Sequence, residues 1–198
     1  MAYNLFNNNN QNNPNIIGKI FENYCHKHAV VEKIYVDSKE SKIEKDIREI
    51  FNQNTYNLTI FDDISKIEES FKTMSLELRT IIPYFNEPLS TTNFKSRATI
   101  NKISQYYNLM QYSTPNLSEL VEEKMLLCSG ENLLFLKSIP KNGFKMYHQL
   151  TEKKQRRTHS LLATEFGDFS LILDLSENKV EVKETKYLKD NFLNAIIH

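Results

Sequence analysis

Glycine and tryptophan are scarce in this chain, which has 198 residues, four glycines and no tryptophan. The glycines are Gly18, Gly130, Gly143 and Gly167, and none lies close to another in the sequence. A phosphate-binding loop needs clustered glycines so that the backbone can approach the phosphates, and the nucleophile elbow of serine hydrolases needs a Gly-x-Ser-x-Gly turn. Neither pattern occurs, which argues against both classes of enzyme.

Cysteines and long apolar runs are also scarce. The two cysteines, Cys25 and Cys128, occur in unrelated contexts, which is typical of a reducing compartment. The longest apolar runs, Leu133–Leu136 and Leu171–Leu173, are far shorter than the ~20 residues that a membrane-spanning helix needs. Because the N-terminal segment lacks the features of a secretory signal, we expect an intracellular protein, in the cytoplasm of the producing cell or inside a virion, with no membrane partner.

Charge is balanced, since Lys+Arg and Asp+Glu both number 25. No net field therefore attracts nucleic acid or an anionic membrane, and any such binding needs a local patch. The abundant residue types, among them Asn, Lys and Ile, are encoded by A/T-rich codons. We infer an AT-rich genome, such as that of a phage or large DNA virus, a low-GC bacterium or a parasite.

Asparagine dominates the N-terminal segment, where it supplies seven of the nine residues from Asn7 to Asn15. Such a segment has too little apolar surface to offset the entropy lost on ordering. We predict an extended arm over residues 1–15 that grips neighbouring subunits. Its predicted contact residues are Tyr3, Leu5, Phe6, Asn10 and Asn15.

Apolar periodicity predicts helices in the residues that follow. One helix is expected to begin at Asp37–Glu40, with an acidic cap and a carboxylate three residues later. The strongest runs from Ile64 to Ile81, with apolar residues three and four apart, and ends before Pro83. Another is predicted from Asn116 to Gly130, with Cys128 packed on its apolar face.

After residue 130 the period changes from that of a helix to that of a strand. A hairpin is predicted from Leu133–Ile139 and Phe144–Leu150, and a short helix at Tyr187–Ile197 closes the chain. Three further strands are predicted at Thr158–Thr164, Phe169–Leu175 and Val180–Glu184.

The predicted fold class is therefore α+β, in which a helical N-terminal two-thirds packs with a C-terminal antiparallel β-meander and a short terminal helix. The predicted parts are the arm over 1–15, a helical portion over 16–130 and a sheet with closing helix over 131–198. We expect the last two parts to form one domain.

Metal-binding and nucleophilic side chains do not form a recognisable motif. Cys25-His-Lys-His28 needs two more ligands, whereas Cys128, His148 and His159 are scattered singly. A Cys–His nucleophile pair that uses Cys25 or Cys128 stays open, although a packed helix face is the simpler interpretation of Cys128. We predict no catalytic residues, no metal and no cofactor.

A faint resemblance to metal-dependent nucleases lies in the last strands. Glu181-Val-Lys183 has the Glu-x-Lys spacing of such sites, and Asp174 lies on the preceding predicted strand. The helical acids that the nuclease motif also needs are not identifiable. Alternating charges on an exposed sheet face give the same pattern.

A basic segment between two predicted strands is the best candidate for binding. Positive side chains on a protruding hairpin tip could neutralise several phosphates of a nucleic acid or another polyanion. Such charges also protect sheet edges and keep a hairpin soluble. The set is Lys153, Lys154, Arg156 and Arg157, with Lys141 and Lys145 expected to join through the neighbouring turn.

Together these features favour a non-enzymatic subunit of a larger homo- or hetero-oligomer. Its most concrete form is a virion or head–tail connector component of an AT-rich phage or virus, gripping other protein subunits through the arm. The second hypothesis is a nucleic-acid-binding accessory protein that uses the basic hairpin. The third is a metal-dependent nuclease that uses Asp174, Glu181 and Lys183.

Overall fold

The computed structural model describes residues 33–53, 64–81, 105–106, 109, 112–150 and 157–194. The predicted arm, the Cys25–His28 segment and residues 151–156 lie outside this part of the chain. The helices are α1 (Lys42–Gln53), α2 (Ile64–Ile81), α3 (Leu117–Glu122), α4 (Cys128–Ser138) and α5 (Thr185–Asn191). The strands are β1 (Lys145–Leu150), β2 (Arg157–Phe166), β3 (Phe169–Asp174), β4 (Lys179–Glu184) and β5 (Phe192–Asn194).

The predicted α+β class is confirmed: helices precede an antiparallel five-stranded sheet with the order β4-β3-β2-β1-β5. The strands predicted in the last third coincide with β2, β3 and β4. A two-residue turn joins β2 to β3, and Gly167 occupies it at a φ of +61°, where a side chain would be strained. Among the described residues, no helix is long and apolar enough to cross a membrane.

The cap of helix α1 is Ser41, four residues later than the predicted acidic cap Asp37. The backbone N–H of Ser41 donates to Glu44 Oε2 at 2.5 Å, and the N–H of Glu44 faces Ser41 Oγ at 3.3 Å, which forms a capping box. Asp37 instead accepts hydrogen bonds from the backbone N–H groups of Lys39 (2.9 Å) and Ser118 (3.0 Å). The acid therefore joins the start of α1 to the start of α3.

Helix α2 forms as the three- and four-residue spacing predicts. Phe71, Met74 and Leu78 have no exposed surface, and Ile67 and Ile81 pack partly buried beside them. The seam packs within the core that the helices share with the sheet, because the same cluster includes residues of β2 and β3.

The single helix predicted from Asn116 to Gly130 is wrong, because the chain forms α3 and α4 there. Lys124 adopts a φ of +54° and ends α3: its N–H bonds to the Val121 carbonyl at 3.2 Å, and the N–H of Met125 bonds to the Leu120 carbonyl at 2.8 Å. This is a Schellman cap, with lysine at the position that usually holds glycine.

The predicted strand at Leu133–Ile139 is also wrong, since these residues belong to α4. Seven consecutive residues, 129–135, are buried, so the helix has no polar face to produce an amphipathic pattern. Gly130 does not end a helix but lies in the first turn of α4. A Cβ atom at Gly130 would lie 2.8 Å from Leu126 Cδ2, so a side chain at this position would require the Leu126 side chain to move.

The closing helix is shorter than predicted and ends at Asn191. Residues 192–194 form β5, which pairs with the free edge of β1 at Tyr147–Asn194, His148–Leu193 and Gln149–Phe192. Phe192 packs edge-on against Tyr187 at a centroid distance of 6.2 Å. Pairing at the edge of the sheet therefore prevails over helix continuation.

Apolar layers cover both faces of the sheet. Helices α2 and α4 pack on one face, with α1 and α3 against α4. A chain of edge-to-face aromatic contacts runs through this layer from Phe51 to Phe135 (6.2 Å), Phe144 (5.8 Å) and Phe71 (5.4 Å). The other face forms a smaller cluster with Leu188 of α5. Helix α4 packs directly on β2, the middle strand, and so fixes the start of the helix relative to that strand.

We expect Asp37→Asn to lower the free energy of unfolding near pH 6 by about 1–2 kcal/mol. Burial opposes the shift, but hydrogen bonds from Ser118 and the charge of Lys137 lower the pKa of Asp37 to about 2. The stabilisation is therefore present above the unfolded pKa of 3.8 and is lost as pH falls through 2. Denaturant titrations from pH 2 to 6, with the exposed Asp168→Asn as control, measure it; a pH-independent difference would contradict it.

Candidate active site

Helix α4 begins at a cysteine. Cys128 is its first residue, and the N-cap Leu127 is extended and makes no side-chain capping bond. The thiol-bearing residue is partly exposed. The first N–H groups of a helix have no intrahelical acceptors and carry partial positive charge, so this position favours an anionic side chain. A partly exposed cysteine in such surroundings is typical of a reactive one.

A bulge in β2 lies beside His159. The register that pairs His148 with Ser160 differs from the one that pairs Leu150 with Arg157. Between these two pairs β2 has one residue more than β1, and His159 lies in this interval. A bulge re-aims the side chains of its strand, and it occurs often beside active sites.

His159 connects a thiol to a carboxylate. Its Nε2 lies 2.5 Å from Asp174 Oδ2, and Cys128 acts on the same imidazole, because it contributes to the raised pKa of His159. Thiol, imidazole and carboxylate therefore follow one another as a nucleophile, an acid–base group and an orienting group do in nucleophilic catalysis.

The two partners keep His159 protonated. Burial by itself lowers the pKa of this imidazole, but hydrogen bonds to Asp174 and Cys128, together with Coulombic attraction, raise it to about 11. At neutral pH the site therefore has a proton donor next to its sulfur atom.

Asp174 is fixed by its own turn. The residue is 6% exposed at the end of β3, and its Oδ1 accepts the backbone N–H of Glu177 at 3.0 Å. Because Oδ2 is bonded to His159, both carboxylate oxygens have donors. A buried carboxylate with both oxygens bonded holds its partner imidazole in one orientation.

A buried chain of polar side chains ties the first turn of α4 to the sheet. Ser129, next to the candidate nucleophile, lies with its Oγ 3.1 Å from Ser160 Oγ, which in turn lies 2.8 Å from His148 Nδ1. All three residues are at least nine-tenths buried. The contact joins the residue after Cys128 to the residue after His159.

Polar side chains of two helices bind the turn that follows Asp174. Glu131 of α4 is buried, and its Oε2 accepts the Ser176 hydroxyl at 2.7 Å. Arg79 Nη2 from α2 donates to the Leu175 carbonyl at 3.2 Å and to the Ser176 carbonyl. The turn that follows Asp174 is thus held by two helices.

His159, Asp174 and Glu177 also form a possible metal-binding group, with their ligand atoms within 4.8 Å of one another. Two ligands of one ion at bond lengths of about 2.1 Å lie about 3 Å or more apart. The 2.5 Å between His159 and Asp174 is shorter than that and fits a direct hydrogen bond. The geometry therefore favours a hydrogen-bonded pair over a metal centre.

The residues predicted for the arm and for polyanion binding are only partly described. The arm and the basic residues Lys153, Lys154 and Arg156 lie outside the described residues, and Arg157 is the first residue of β2. Lys145 is the first residue of β1, about 17 Å from its last residue, Leu150, at about 3.3 Å per residue. The exposed Lys141 precedes the strand. The polyanion-binding hypothesis for all of these residues stays a prediction.

The residues of the nuclease hypothesis have other partners. Glu181 lies 3.1 Å from Lys179 and 3.4 Å from Lys183 in ion pairs along β4. Asp174 is bonded to His159 instead, and within the described part of the chain the possible metal group does not include Glu181. The structure therefore does not gather the three predicted nuclease residues around one point.

Sequence reasoning missed His159 and assigned Cys128 to an apolar helix face. The cysteine belongs to a helix start that no Ser, Thr, Asn or Asp marks, because its N-cap is Leu127. The histidine and the aspartate occupy adjacent strands, and a single sequence shows no spacing between such positions. The available signal was the open Cys–His pair, which the tertiary contact completes.

Glu131 gives the site an unusual pH dependence. Burial raises its pKa to about 8 and the charge of Asp174 acts in the same direction, although Ser176, Arg79 and His159 oppose them. Against the ordinary value of 4.5, the folded state binds the proton more tightly between pH 4.5 and 8. The free energy of unfolding therefore falls as pH rises through this interval.

Glu131→Gln should reduce the fall in the free energy of unfolding with rising pH, because glutamine does not titrate and still offers an oxygen to Ser176. Between pH 5 and 8.5 the variant should gain about 2–4 kcal/mol in free energy of unfolding relative to the wild type. Guanidinium titrations at both pH values measure the gain, and the exposed Glu69→Gln on α2 is the control. A difference that stays constant with pH would show that Glu131 titrates normally.

Comparison of the chain with models of protein families, with curated proteins and with solved structures finds no match. The chemistry of the site must therefore be inferred from its own thiol, imidazole and carboxylate. Their connection through His159 is the feature from which a function can be argued.

Proposed function

We propose that the protein is a cysteine-dependent acyl-transfer enzyme, a hydrolase or transferase acting on amide or ester carbonyl groups. The observation that carries this proposal is the 2.5 Å bond of His159 Nε2 to Asp174 Oδ2, beside a cysteine that begins α4 and acts on the same imidazole. The same three roles recur on unrelated folds, so geometry supports them without a sequence match.

Each residue has one role in the reaction. The sulfur of Cys128, as thiolate, attacks the carbonyl carbon, and the carbonyl electron pair moves onto oxygen. The N–H groups of the first turn of α4 stabilise that oxyanion. His159 donates its proton to the leaving group as the carbonyl carbon–leaving-group bond breaks, which leaves a thioester on the enzyme.

The second half of the reaction reverses the proton transfer. A water molecule, or an amine in a transferase, attacks the thioester, and neutral His159 accepts the proton that it loses. The sulfur then leaves as thiolate, which restores the starting ion pair. Asp174 accepts the Nε2–H of His159 and so holds the imidazole in one orientation. It also stabilises the imidazolium in both halves of the reaction.

The sequence pattern predicted no catalytic residues, whereas this proposal assigns catalysis to Cys128, His159 and Asp174. Assembly through the arm and polyanion binding through the basic segment depend on residues outside the described part of the chain, and both stay predictions. Neither conflicts with an acyl-transfer site, since a subunit of an assembly can also be an enzyme.

p-Nitrophenyl acetate should acylate Cys128 of the full-length protein with a burst of p-nitrophenolate. At pH 6.5 an ordinary thiol with a pKa near 8.5 is about 1% thiolate, so rapid acylation requires the imidazolium. We expect Cys128→Ser to lose the burst, His159→Ala to slow it by about 100-fold and Asp174→Asn by at least about tenfold. Stopped-flow absorbance gives the rates, and peptide mapping identifies the acetylated residue.

Cys25→Ser is the matched control, because it removes the other thiol and should acylate at the wild-type rate. Acetylation confined to Cys25, or a wild-type rate no higher than that of Cys128→Ser, would overturn the proposal. A chelator should leave the rate unchanged. Loss of the rate with chelator would favour a metal held by His159, Asp174 and Glu177.

A further inference from the structure

We infer that Glu131, Ser176 and Arg79 are positioning residues that hold the turn after Asp174 against the helix that carries Cys128. The inference rests on the proposed function, because it assigns these residues to the same site. Their described hydrogen bonds go to the turn after Asp174 and not to the thiol or the imidazole. They affect the reaction rate by fixing the position of Asp174.

The first step of the argument is the path of covalent and hydrogen bonds. Glu131 lies three residues after Cys128, one turn further along α4. Its Oε2 accepts the hydroxyl of Ser176, which is two residues after Asp174. The nucleophile and the orienting acid are therefore joined by one helical turn, one 2.7 Å hydrogen bond and two peptide units.

The second step is the contribution of Arg79. Its guanidinium donates to the carbonyl oxygens of Leu175 and Ser176, the two residues that follow the acid. These carbonyls are close to a strand end, where ladder hydrogen bonds no longer fix the backbone. A planar group with several donors can bind two adjacent acceptors together, which restricts the turn more than one contact does.

The third step is the choice of residue type. A buried carboxyl beside another carboxylate is a costly way to fill a core position, since desolvation and like charge both penalise it. Leucine of similar size would fill the position without that penalty but would leave Ser176 without its acceptor. The presence of a polar group in this 4%-exposed place is explained by its bond to the turn.

The local turn adds a fourth contact. Asp174 Oδ1 accepts the N–H of Glu177, so the turn folds back onto the acid itself. A shift of Ser176 moves Glu177 with it and thereby changes the orientation of the carboxylate. Catalytic geometry is sensitive to shifts of about 1 Å, so a small displacement reduces the rate.

The test is a double-mutant cycle with p-nitrophenyl acetate on the full-length protein. Ser176→Ala should slow the acylation of Cys128 by about tenfold in the wild-type background. In the Asp174→Asn background, where asparagine still accepts the Glu177 N–H, the same change should cost less than twofold. Residues that act through one another are non-additive in this way, whereas a general loss of stability has the same effect in both backgrounds.

Ser138→Ala is the matched control. Ser138 is also buried, and its substitution removes one hydrogen bond, from Oγ to the Leu134 carbonyl at 2.6 Å. It lies at the other end of α4, about 15 Å from Cys128 at about 1.5 Å per residue. We expect less than a twofold change in rate in either background.

A pair of variants at Glu131 keeps the test independent of Ser176. Glu131→Gln keeps an acceptor oxygen and should retain the acylation rate within about threefold, whereas Glu131→Leu should lose about tenfold or more. Equal rates for the two variants, or additive effects in the cycle, would overturn the positioning role. Failure of the proposed function is distinct, because Cys128→Ser would then acylate as fast as the wild type.

Discussion

The burial of α4 between the other helices and the middle strand is the constraint on which the rest of the structure depends. Seven consecutive residues of this helix are buried, so neither its rotation nor its position along β2 can change without exposing apolar surface. The first residue of the helix is Cys128, and β2 carries His159. Core packing therefore fixes the thiol relative to the imidazole, and no contact in the site needs to do so alone.

Two polar connections then align the parts that apolar packing leaves adjustable. Non-directional packing tolerates small shifts, whereas hydrogen bonds fix distance and angle. The Ser129–Ser160 contact joins the nucleophile's helix to the strand of the histidine, and the Glu131–Ser176 bond joins the same helix to the turn of Asp174. Because both connections begin in the first turn of α4, a shift of that turn affects the whole site.

The sequence predicted the elements whose pattern is local. Helix α2 shows its apolar spacing directly, and β2 to β4 are marked by turn residues such as those at Gly167 and Asn178. The break at Lys124 was not predictable from residue preference, because lysine occupies a left-handed position that favours glycine. Helix α4 was mistaken for a strand because a helix buried on all sides has no polar face.

The site was harder to predict because its parts are distant in sequence. Cys128, His159 and Asp174 are separated by 31 and 15 residues, which belong to one helix and two strands. Their contact depends on the packing of α4 on β2 and on a bulge, neither of which a single sequence encodes as a spacing. The error at Lys124 also hid Cys128, since one continuous helix places the cysteine near the end of a helix instead of at a start.

The two buried acids of the site are best understood together. Asp174 is bonded to His159 and to a backbone N–H, so its negative charge is compensated by a cation and a donor. Glu131 is more deeply enclosed, and burial and the charge of Asp174 raise its pKa to about 8, so it is mostly neutral at pH 7. Environments that separate the ionisation of neighbouring acids assign them different roles. Asp174 orients the imidazolium. Glu131 holds the turn without adding a second negative charge that would compete with Asp174 for the imidazolium.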